Sequence, residues 1–182
     1  KDIEEFDDII ICTPLELFLN YGDPNEKEKE LFSKIVHKEY FTMAVRPEKD
    51  PDISYYFFDN MTPETRGHLM VFYHRWPGVI NQPVVTFTLR NHEGCEDVPF
   101  EQAKETTLKD MEIAGLKVKS TERIDDWYYF PHVSSKDYAD GWYDKVEAMQ
   151  GVNHTYYAGE VMAFGDMEET AEYARELVNR YF

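Results

Sequence analysis

The sequence predicts a mixed α/β chain in which a parallel, doubly wound sheet built from the two ends is interrupted by an antiparallel sheet with helices. Three observations predict it. The run Phe6-Asp-Asp-Ile-Ile-Ile-Cys-Thr-Pro14 is apolar without alternation and is stopped by proline, which is how a strand buried on both faces reads. Near the other end, Thr155-Tyr-Tyr-Ala-Gly-Glu160 passes through a further glycine, Gly165, into a long acidic helix. Between them, short segments rich in aromatic and β-branched residues are separated by Pro, Gly, Asn and Asp, the pattern of turn-punctuated antiparallel strands.

The elements follow in order. Asp23-Pro24 supplies a helix cap followed by proline, and Leu31, Phe32, Ile35 and Val36 recur at helical spacing, so a helix of about three turns is expected through His37. Strands are expected over 39–45, 53–58, 68–74 and 84–89. A helix over 100–114 is closed by Gly115, and 116–130 returns as one or two strands. Ser134 opens a helix that runs to about Gln150, where Gly151 stops it, and 155–158 is again a strand. The last helix, 167–181, places Met167, Ala171, Ala174, Leu177, Val178 and Tyr181 on one face. The economical division is one outer domain from residues 1–36 and 151–182, interrupted by a second domain over 37–150.

Composition narrows the function. A chain of 182 residues with 42% hydrophobic and 15% aromatic residues can bury a sizeable core, and no apolar run approaches the length of a membrane span. The net charge of −17 repels phosphate backbones, so nucleic acid is not an expected partner. Two cysteines without a CxxC spacing support neither a disulfide framework nor structural zinc, and fit a reducing, cytoplasmic setting.

Few residues suggest chemistry by themselves. A doubly wound sheet binds ligands beyond the carboxyl ends of its strands, where Gly159 and Gly165 would let backbone approach closely and Glu160 could accept a hydrogen bond from a ribose or ribityl hydroxyl. The alternative is that Gly159 is a turn and Glu160 a solvated carboxylate. His68, His74 and the His92-Glu93-Gly94-Cys95 stretch do not supply three converging ligands, so no metal site is assigned. The aromatic runs 55–58 and 127–130 could line an apolar tunnel or be plain core. Arg46, Arg75 and Arg90 could meet a substrate carboxylate or pair internally.

A resemblance adds to this. The 6–14 strand is similar to the "D-x-V-I-x-A-T-P" strand of the flavin-containing amine oxidase superfamily, and Tyr156-Tyr-Ala-Gly-Glu160 resembles its closing "Y-x-A-G-E/D" segment. Trp127-Tyr-Tyr-Phe-Pro131 and Gly141-Trp-Tyr-Asp-Lys-Val-Glu-Ala-Met-Gln-Gly151 look most like the branch that includes polyunsaturated fatty-acid double-bond isomerases. The resemblance implies an FAD-dependent oxidoreductase or isomerase that moves hydride between an apolar or amine substrate, a fatty acid or an amine, and flavin N5. It places Gly159, Glu160, Met167 and Glu168 near the cofactor and identifies no catalytic residue. The sequence also departs from the family. No Gly-x-Gly-x-x-Gly turn is present, and Tyr173-Ala-Arg-Glu176 replaces the usual "S-G-x-x-A". The expectation is a carboxyl-terminal fragment that holds FAD only together with an upstream phosphate-binding segment; a non-catalytic ligand-binding or interaction domain is the alternative.

Overall fold

The computed structural model describes residues 4–49, 51–76, 78–79, 82–163 and 165–182. It mixes helices with one parallel and one largely antiparallel sheet, as an α/β chain should. The chain forms two compact units, Lys1–His37 with Phe130–Phe182, and Lys38–Tyr129. Residues 130–150 therefore group with the ends of the chain.

In the first unit, β1 (Ile9–Ile11) pairs in parallel with β7 (Thr155–Tyr157), Ile9 opposite Thr155 and Ile11 opposite Tyr157. Helices lie on both faces of this ribbon, because successive side chains point to opposite sides. On one side, Ile11 and Tyr157 join a core with Leu15 of α1 (Leu15–Tyr21), Leu31 and Phe32 of α2 (Glu26–Phe32), and Trp142 and Val146 of α5 (Trp142–Glu147). On the other, Tyr156 and Ala158 pack on Leu177 of α6 (Met167–Tyr181). The expected burial of the first strand is only partial: Ile9 and Ile10 stay 54% and 39% exposed, because a two-stranded ribbon cannot cover its own outer side.

Local chemistry explains where the helices depart from expectation. Asn25, not Asp23, caps α2: its Oδ1 accepts from the Lys27 and Glu28 amides, and the Glu28 carboxylate accepts from the Asn25 amide at 2.5 Å. The chain ahead of it forms the separate helix α1, which starts at Pro14 without a side-chain cap and so leaves no signature in sequence. The expected helix over 134–150 is two, α4 (Ser135–Ala139) and α5, because Gly141 at φ +75° interrupts the helical path. In α6 only part of the expected apolar face is covered. Leu177 is buried and Tyr173 packs beside it, while Met167 is 90% exposed and Val178 is exposed.

In the second unit five strands lie in the order β3-β4-β5-β2-β6, with β2 Val36–Pro47, β3 Tyr55–Tyr56, β4 Val71–Tyr73, β5 Val84–Leu89 and β6 Val118–His132. The strands β2/β5, β4/β5 and β3/β4 pair antiparallel. One face carries Phe41, Met43, Val45, Phe72 and Val84 into a core closed by Ala103 and Met111 of α3 (Phe100–Ile113). Buried Thr88 and Thr107 share a 2.8 Å hydrogen bond that ties sheet to helix. The opposite face is aromatic. Tyr40 stacks on Phe87 and Trp127 and meets Tyr129 edge-on at 5.4 Å between centroids, and the Trp127 indole donates to Thr42 Oγ1.

Candidate functional site

The carboxyl ends of β1 and β7 bring Cys12 and Gly159 together. Gly159 sits at φ +109° and ψ −174°, and a Cβ there would stand 3.2 Å from the Cys12 carbonyl oxygen. The glycine is required by backbone meeting backbone.

Beyond it the chain makes one 3-10 turn, Glu160–Met162, anchored by buried Val161 and Met162. Glu160 is half-buried. Its Oε1 is out of reach of solvent and, among the described residues, has no hydrogen-bond partner. Burying a carboxylate oxygen unmatched is costly, so the position suits a ligand donor. A Cβ on Gly165 would stand 2.9 Å from this oxygen and 3.1 Å from the ring of Phe130, so the missing methyl is what leaves room beside the carboxylate. Phe130 itself takes φ +55°, a strained conformation for a bulky residue.

Met167 and Glu168 stand exposed on the first turn of α6. That helix start is not an open anion site: the Asp166 side chain accepts from the Glu169 amide at 2.8 Å. Carboxylates at Glu160, Asp166, Glu168 and Glu169 disfavour phosphate at this end and favour hydroxyl donors. Of the sequence-derived residues, Gly159 and Glu160 are therefore placed at the strand ends, with Met167 and Glu168 on the helix that follows Gly165.

Sequence reasoning missed a buried polar network behind these residues. The Gln150 amide donates to the Tyr157 carbonyl at 2.8 Å and the Tyr173 hydroxyl at 3.0 Å, and its oxygen accepts from the Tyr157 amide at 2.8 Å. The Tyr173 hydroxyl donates to Glu147 at 2.5 Å, and that carboxylate also pairs with Arg180. On the other side, the Tyr157 hydroxyl donates to buried Glu28. Burial first, then the adjacent carboxylate, raises both phenols well above the ordinary 10.0. A folded-state pKa raised in this way contributes stability that is full below pH 10 and is lost as pH rises further. Thermal melts should therefore show stability falling above about pH 10, with a shallower fall in Tyr157→Phe and Tyr173→Phe. Identical slopes in all three proteins would contradict this.

The arginines resolve mostly into internal contacts. Arg46 pairs with Glu122, Arg90 with Glu39 and Asp126, and Arg75 lies over Trp76 at 5.2 Å. His68 pairs with Asp110 at 3.0 Å. Among the described residues no helix is long and apolar enough to cross a membrane.

No protein-family model and no curated protein matches the chain. Solved structures do. The crystal structure of a CLA-producing fatty acid isomerase from P. acnes superposes over 97% of the chain with a TM-score of 0.92 and 46% identity. That neighbour matches the fatty-acid isomerase branch which the sequence resembles. A protoporphyrinogen oxidase-like protein from Exiguobacterium sp. 255-15, 13% identical with a TM-score of 0.55 over the same share of the chain, has the same fold. The chain spans 42% of the length of each.

Proposed function

We propose that the chain forms the substrate-binding domain, together with the last strand and helix of a doubly wound FAD-binding domain, of an FAD-dependent enzyme that transforms a fatty acid. The buried, unmatched Glu160 Oε1 carries this reading. A carboxylate held at the strand ends by Gly159, with space beside it at Gly165, accepts a hydrogen bond from a ribityl hydroxyl of FAD, while the surrounding acids leave the diphosphate to another segment. Met167 and Glu168, on the first turn of α6, would face the cofactor. When bound, FAD supplies hydride acceptance and return at its N5. The residues of the chain do the rest. Tyr40, Phe87, Trp127 and Tyr129 offer a hydrocarbon chain an apolar wall that excludes water, which favours a fatty acid over an amine. The fatty acid isomerase to which the chain is similar supports the same substrate class.

The 182 residues alone should purify colourless, whereas a longer polypeptide that adds the phosphate-binding turn should carry visible flavin absorbance. In that longer protein Glu160→Ala should weaken FAD retention by about 1–3 kcal/mol, measured by fluorescence during dilution. Stoichiometric FAD on this chain alone, or undiminished retention in Glu160→Ala, would overturn the assignment.

A further inference from the structure

Gln150 makes three hydrogen bonds from one buried side chain, and each falls on an element next to the proposed cofactor end. β7 uses one edge to pair with β1, seen again where the Ala158 amide donates to the Ile11 carbonyl at 2.9 Å. The Tyr157 amide and carbonyl turn to the other edge, and there the Gln150 side chain meets both, as a peptide unit of a neighbouring strand would. Its remaining N–H reaches Tyr173 of α6. One side chain thus couples β7, three residues before Glu160, to the helix that begins at Met167.

We infer that Gln150 is a positioning residue: it sets the path of the backbone from Tyr157 to Glu160 and the placement of α6 beside it. This rests on the reading of Glu160 as a cofactor contact. The network explains why a side chain and not a further strand does this work. A glutamine amide offers one acceptor and two donors, and here all three are used: the acceptor by the Tyr157 amide, the donors by the Tyr157 carbonyl and the Tyr173 hydroxyl. The Tyr173 hydroxyl donates on to Glu147, and the Tyr157 ring is held from the far side by its hydroxyl donating to buried Glu28, so each phenol is tied by its own hydrogen bond. Leucine would fill the space and hold nothing. Glutamate would keep the acceptor, and would recover a donor to the Tyr157 carbonyl only when protonated.

The test has two readouts. In this chain, amide hydrogen exchange over 157–160 is followed by NMR; in the longer flavoprotein, FAD affinity is titrated. Gln150→Leu should speed exchange of the Tyr157 amide by about tenfold or more and weaken FAD by about tenfold, a loss typical of one buried pairing. Gln150→Glu, which keeps the acceptor for the Tyr157 amide, should lose less protection than Gln150→Leu at about pH 7 and regain the remaining protection and affinity as pH falls toward about 5, where the side chain takes up a proton and again donates to the Tyr157 carbonyl. If Gln150→Leu does not fold, Tyr173→Phe removes one contact and should give a smaller loss of protection, about two- to threefold, at the same residues. Exchange over 157–160 that is unchanged in Gln150→Leu, or Gln150→Glu equal to Gln150→Leu at every pH, overturns this inference while leaving the Glu160 assignment standing. Unchanged FAD affinity in Glu160→Ala, with exchange altered in Gln150→Leu, overturns the cofactor assignment and leaves the positioning of the backbone in place.

Discussion

Replacing Trp142 with alanine is expected to cost the first unit about 3–5 kcal/mol. Trp142 is among the largest fully buried side chains, it meets Tyr143 edge-on at 4.9 Å, and its indole N–H donates to the Leu31 carbonyl at 2.8 Å. Alanine would leave a cavity between α5 and α2 and remove the indole's hydrogen bond to the Leu31 carbonyl, so the loss should fall in the upper part of that range. Trp142→Phe separates the two contributions: it keeps much of the volume and should lose only about 1–2 kcal/mol. Urea denaturation, with hydrogen exchange of the α2 and α5 amides to locate the loss, gives the measurement. A change under about 1 kcal/mol in the alanine variant would mean that this packing does not hold the unit together.

Gly159→Ala should produce the next largest loss. At φ +109° and ψ −174° the residue lies where side chains are essentially never found, which alone costs about 1–3 kcal/mol. The added methyl also meets the Cys12 carbonyl at 3.2 Å, and that carbonyl belongs to a strand end with little freedom to yield. Gly94→Ala serves as a reference for a positive-φ glycine without a steric neighbour, since Gly94 has φ +79° with nothing within 4 Å of the added carbon. The Gly159 variant should therefore be less stable than the Gly94 variant when both are melted side by side. Equal melting temperatures would show that the approach of strand end to strand end carries no energetic weight.

Much of this architecture is legible in residue order. The parallel pairing of residues near 9–11 with residues near 155–157, some 145 positions apart, follows from two apolar runs that each need a partner. The antiparallel sheet and α3 follow from turn residues and period-two burial, and α6 is expected within its observed bounds. Other features leave no local trace. α1 lacks a side-chain cap, and the break at Gly141 depends on a backbone angle that a helix-forming context disguises. At the site, Gly159 and Glu160 are readable because a strand ends in Gly-Glu, a pattern with a physical meaning. Gln150, Tyr157, Tyr173, Glu28 and Glu147 are not, since their contacts join positions up to 129 residues apart and no spacing rule links them. The exposure of Met167 is likewise invisible, because amphipathic periodicity shows which residues share a face and not whether anything covers it.

The occupied outer edge of β7 gives the small parallel ribbon a direction of growth. Gly151 donates to the Thr155 carbonyl at 2.9 Å and Gln150 holds both polar groups of Tyr157, so a new strand arriving on that side would have to displace the bonds already made there. The outer side of β1 remains, lined by Ile9 and Ile10 and entered past Asp7 and Asp8. Among the described residues the outer edge of β1 pairs with no further strand, and the two aspartates at its head supply like-charge repulsion against a second copy of itself. One flank of the ribbon is sealed by a side chain and the other is kept selective by charge.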